Sequence, residues 1–155
     1  MTPGDVAETA RLGLPGRTLQ YALAMAILVT VFATLAAAVH VLIFYWESVG
    51  WRRPTVWKRF GVVSQENADV MAPMAYNQGF YNLFLAIGAL VGSVLFGFGV
   101  REAGFALGLF SVLCMLAAAV VLLTTGRGRL RAALIQGTLP LIAVVLFIVS
   151  VATGS

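Results

Sequence analysis

The sequence NQGFYN (Asn77–Asn82) runs straight into LFLAIGALVGSVLFGFGV (Leu83–Val100). The second stretch carries no charge and supplies most of the about 20 apolar residues that a bilayer-crossing helix needs. The first stretch places several hydrogen-bonding side chains within six positions. Polar side chains at membrane depth cost free energy unless they find partners. The segment is therefore expected to face protein rather than lipid, with the rest of the fold arranged around it.

Working outward, composition supports a membrane chain. Of 155 residues, 61% are apolar and 10% charged, against about 25% charged in soluble domains. Four apolar runs have spanning length: Thr18–Ser48, Gln78–Val100, Ala103–Thr125 and Leu130–Thr153. They predict an all-α fold, an integral membrane four-helix bundle. One transmembrane domain covers 18–155, and residues 1–17, with Pro3, Gly4, Gly13, Pro15 and Gly16, read as a flexible tail. Arg11, Arg17 and the Ala36-Ala37-Ala38 run imitate a signal peptide. The apolar stretch exceeds the about 7–15 residues of a signal core, so a retained span is expected. The net charge of +4 bears on topology. Nucleic-acid binding would need clustered bases on a soluble face. The single cysteine, Cys114, forms no internal disulfide and no CxxC metal motif.

The connections are equally informative. Trp46, Trp51 and Trp57 all fall around the end of the first span, and tryptophan favours the membrane–water interface. Pro54 keeps Arg53 out of the helical region. Ser64 is an N-cap for a helical lead-in over 65–76, with Glu66 and Asp69 complementing the helix dipole. Pro73 is expected to kink or break that lead-in. Gly88-x-x-x-Gly92 and Gly104-x-x-x-Gly108 are small-residue ridges that let two spans pack closely. Arg52, Arg53, Lys58, Arg59, Arg127, Arg129 and Arg131 flank the first and third connections, whereas only Arg11, Arg17 and Arg101 lie opposite. By the positive-inside rule both termini are extracytoplasmic.

That orientation gathers polar groups in the cytoplasmic half. His40 and Glu47 end the first span; Asn77, Gln78, Tyr81 and Asn82 begin the second. Thr124 and Thr125 end the third, and Gln136 begins the fourth, ahead of Pro140. His40, Phe44 and Glu47 share a face, as do Asn77 with Tyr81 and Gln78 with Asn82. His40 and Glu47 stand about 10 Å apart along a helix, a separation suited to two ends of one small ligand. Each group also has a plainer reading. Glu47 pairs with Arg52 or Arg53; His40 bonds an Asn or Gln across helices. The amides are interhelical glue, Gln136 caps or bridges, and the two threonines bond back to their own helix. Ionisable groups inside a span are functional candidates by default, which gives the joint pattern its weight.

The His40…Glu47 pair, Phe60-Gly61-Val62 after a basic loop, Asn77-Gln78-Gly79-Phe80-Tyr81-Asn82, and Gln136-Gly137 before Pro140 give the chain a family likeness. From about Ala36 onward it resembles the small bacterial membrane proteins of domain-of-unknown-function family thirteen-zero-four. The resemblance implies four membrane helices in a bacterial inner membrane and supplies no reaction. The long tail before the first span departs from the family pattern.

Several functions fit these residues. In the first, the protein binds or converts a small lipophilic molecule by isomerase-like acid/base chemistry. His40 and Glu47 are then catalytic, and Asn77, Gln78, Tyr81, Asn82 and Gln136 bind substrate. The alternative is a proton-coupled exporter working as a dimer through Glu47, although transport sites favour the midplane. A haem protein using His40 and a scaffold subunit are weaker readings. No metal site and no cofactor are expected. The expected partners are the lipid bilayer and a small lipophilic ligand, with a homo-oligomer left open and nucleic acid excluded.

Overall fold

The computed structural model describes residues 15–126 and 128–152. Four long helices run up and down: α1 (Pro15–Phe44), α3 (Gln65–Gly97), α4 (Arg101–Thr124) and α5 (Leu130–Ala152). A short α2 (Pro54–Trp57) lies in the first connection. α1 packs on α3 and α5, α3 on α4, and α4 on α5, so the spans form a closed ring of neighbours. All four are long and apolar enough to cross a membrane. The protein is an all-α, multi-pass membrane bundle.

Inside and outside are divided as a lipid solvent demands. The buried core is dominated by small residues, among them Ala33, Ala36, Ala37, Ala86, Ala89 and Ala143, together with Val112, Met115 and Phe147. Large apolar side chains such as Phe84, Phe110, Val121 and Ile148 point outward. Helices in lipid gain little from burying large apolar groups against one another, so small residues that admit close backbone contact occupy the interfaces. The predicted glycine ridges do this between α3 and α4. A Cβ added to Gly92 would lie 2.5 Å from the Gly108 nitrogen and 2.7 Å from its Cα. Gly137 performs the same service between α5 and α4, where a Cβ would meet that of Ala119 at 2.8 Å.

The boundaries differ from expectation in three places. Of the tail expected over 1–17, residues 15–17 belong to α1, and residues 1–14 lie outside those described. The lead-in does not break at Pro73: α3 is one helix from Gln65 to Gly97. The only bond that Pro73 forfeits is to the Asp69 carbonyl, and both residues are exposed. Ser64 is the N-cap, accepting from the Asn67 N–H at 3.1 Å.

The third difference is the first connection, which folds into a cap. Arg53 is extended ahead of Pro54, and the chain then turns through α2, a 3₁₀ segment Lys58–Phe60 and a left-handed Gly61. Trp51 and Trp57 are buried, forming with Val62 a second small core against Ala68 and Ala75 of α3. The Trp51 Nε1–H donates to the Ala68 carbonyl at 2.8 Å. Two of the three tryptophans therefore fill a core, where the sequence suggested an interfacial belt. Trp46 is half-buried, with the Arg59 guanidinium 5.0 Å from its ring centre.

Candidate functional site

α1 does not end as an α-helix. Tyr45–Val49 form a π-helical turn, closed by the Gly50 N–H donating to the Tyr45 carbonyl at 2.7 Å. Such turns recur at functional sites. This one is held against α3 at Gly79. A Cβ there would lie 3.1 Å from the Glu47 Cβ and 3.2 Å from the Phe44 carbonyl oxygen, and would collide with the Ser48 Oγ. The absence of a side chain at Gly79 lets the turn seat. Two side-chain bonds then fasten it. Ser48 Oγ donates to the Tyr76 carbonyl at 2.9 Å, and Asn82 Nδ2 donates to Glu47 Oε2 at 2.9 Å. Asn82 Nδ2 also approaches the Gln78 carbonyl of its own helix at 3.2 Å. Phe44 and Phe80 close one side edge to face, 5.1 Å apart.

Glu47 and Asn82 are both buried. Glu47 pairs with this amide, not with Arg52 or Arg53. His40, about two turns deeper along α1, is fully buried. Its Nδ1–H donates to the Ala36 carbonyl at 2.9 Å, so its bond goes to its own helix and not to an Asn or Gln across the bundle. A carbonyl can only accept, so Nδ1 carries a proton, and in the neutral ring Nε2 is then the lone-pair nitrogen. Nε2 is buried with no partner among the described residues. Buried polar atoms are nearly always satisfied, and an exception calls for an explanation.

The other sequence candidates are placed differently. Asn77, Gln78 and Tyr81 are exposed on the outside of the single chain, so they do not line an interior cavity with His40. The reason is helical geometry. The inward face of α3 is carried by Ala75, Gly79, Asn82, Ala86 and Ala89, and Asn77, Gln78 and Tyr81 lie off that stripe. Depth matters as well. Gly92 meets Gly108 and Gly88 meets Ser111, and continuing this antiparallel register brings Ala75 level with the end of α4 at Thr124. Asn77 and Gln78 thus stand at the rim of the bundle. Gln136 is half-buried, and Pro140 beyond it is fully buried with no N–H to give the Gln136 carbonyl. Thr124 and Thr125 bond back to Val121 and Leu122 at 2.7 and 2.8 Å. Two features escaped the sequence reading: the π-turn, and Ser48 as its fastening. No group of three His, Cys, Asp or Glu comes together among the described residues.

Four spans around a small set of buried polar side chains define a multi-pass membrane protein. The chain belongs to a family described as proteins of unknown function (DUF1304), whose model matches residues 34–148. That match takes in the last third of α1, the π-turn, the cap and nearly all of the remaining spans. Neither a curated protein nor a solved structure matches the chain.

Proposed function

We propose that this protein binds a small lipophilic molecule within the half of the bundle nearest the cap, and converts it by proton transfer. The observation that carries the reading is His40: fully buried, fixed through Nδ1, with Nε2 unpartnered. A lone-pair nitrogen held in an apolar interior by a committed ring is a ready acceptor for a ligand O–H or an acidic C–H. Glu47, about 10 Å farther along the helix, is the second proton-handling group, and Asn82 fixes its orientation. Isomerisation needs one group to take a proton and another to return one, with no net redox change. It fits a site of one imidazole and one carboxyl group. A lipophilic ligand would enter from the bilayer, past the outward Asn77 and Tyr81 at the rim.

The test is retention. Protein purified in mild detergent should yield, on organic extraction and mass spectrometry, a small molecule enriched over bulk lipid. His40→Leu should lose it while still eluting as a folded species. Equal extracts from parent and variant would refute the reading.

A further inference from the structure

A second site lies outside the bundle, under the cap. Phe60, Gly61, Val63, Asn67, Val70 and Arg129 line a cleft of about 260 Å³. Arg129 stands immediately before α5 and reaches across from the third connection to the first. Its Nη1–H donates to the Phe60 carbonyl at 2.7 Å, and its guanidinium packs on Gly61, whose φ of +75° keeps the backbone open there. That bond uses one of five N–H donors. The remaining fork meets no carboxylate: none of the described basic residues is within ion-pairing distance of an acid. Arg131, Lys58 and Arg59 stand on the same end of the bundle but line no part of the cleft, whereas the N-terminus of α5 adds positive potential there. Beside this charge the cleft wall and its rim are apolar and open. Val63 is 82% exposed and Val70 76% exposed.

An unmatched guanidinium next to exposed aliphatic side chains is a surface for an amphipathic anion. Guanidinium recognises phosphate oxygens through paired N–H donors. At a membrane surface the anion that brings its own apolar portion is a phospholipid. We propose that the cleft binds the phosphate headgroup of an anionic phospholipid from the leaflet at the cap end, with the Arg129 fork on the phosphate and Val63 and Val70 against the first carbons of the chains. The Asn67 amide, exposed and among the cleft's lining residues, adds a neutral donor. This site is separate from His40 and does not depend on what that residue does.

The experiment uses the full chain in detergent, supplied with equal phosphatidylglycerol and phosphatidylcholine and read by native mass spectrometry. The parent should retain phosphatidylglycerol at least tenfold over phosphatidylcholine. Arg129→Gln and Asn67→Asp should each bring that ratio to within twofold of unity, and Arg131→Gln should leave it unchanged. Asn67→Asp repels an anion without touching the Arg129–Phe60 bond, so it decides the matter if Arg129→Gln does not fold. The parent ratio persisting in Asn67→Asp overturns the proposal, and so does an equal loss in Arg131→Gln, which would mean diffuse surface charge. Displacement of the retained lipid by millimolar inorganic phosphate would assign the cleft to a soluble anion and overturn the lipid.

Discussion

Asn82 Nδ2 donates to Glu47 Oε2 at 2.9 Å, joining the π-turn of the first span to the inward face of the second. Both partners are buried, so removing either strands the other in a poorly solvated place. Interhelical bonds in membrane bundles contribute about 0.6–2 kcal/mol each. A double-mutant cycle of Glu47→Ala and Asn82→Ala, read by unfolding in detergent, should return a coupling energy in that range. Glu47→Gln, which keeps an acceptor, should lose less than Glu47→Ala. Additive single effects would mean that the pair does not form in the folded protein.

Backbone approach is the second quantity to test. Gly92 touches Gly108 through main-chain atoms, and an added Cβ would lie 2.5 Å from a backbone nitrogen that cannot move aside. Overpacking of this kind costs about 1–3 kcal/mol per site, occasionally more. Gly92→Leu should lower the melting temperature in detergent markedly. A change of the same size at Gly97, where nothing lies within 4 Å, should have little effect. Equal melting of the two variants would show that α3 and α4 do not pack through this ridge.

Much of the fold was legible because hydrocarbon thickness dictates helix length and the backbone allows few alternatives. The glycine ridges were legible for the same reason, since close helix contact in lipid needs small residues. The polar segment was harder. NQGFYN is polar around most of a helical turn, so composition alone does not say which side faces inward. The small-residue stripe Ala75, Gly79, Asn82, Ala86, Ala89 would have chosen Asn82 and turned Asn77 and Tyr81 outward. Trp51 and Trp57 fill a local core between a connection and the start of a helix, an arrangement that leaves no periodic signal in the sequence. His40 found the Ala36 carbonyl one turn back, a choice that sequence cannot separate from a cross-helix bond.

Arg129 reaching the Phe60 carbonyl ties the first and third connections together at one end of the bundle. Arg52, Arg53, Lys58 and Arg59 belong to the first connection, and Arg131 to the first turn of α5. From the positive-inside rule we expect that end in the cytoplasm and the chain termini opposite. A reporter active only in the cytoplasm should be silent when fused after Ser155 and active when inserted between Lys58 and Arg59. Activity at Ser155 would invert the orientation.

His40 offers a test by sign. An unsatisfied buried polar atom costs about 1–3 kcal/mol. If the ring were only structural, His40→Leu would remove that cost at similar side-chain volume, and the variant would be at least as stable as the parent under every condition. If Nε2 holds a ligand, the parent gains the binding contribution, about 2.7 kcal/mol when the ligand is at 100 times its Kd. The prediction is a reversal. In mild detergent, with native lipophiles retained, the parent should melt above His40→Leu. After exhaustive washing in a harsher detergent, with the bound molecule gone, His40→Leu should melt above the parent. Thermal unfolding of both proteins before and after washing checks this, and a variant that is the more stable in both states would leave Nε2 with no ligand to hold.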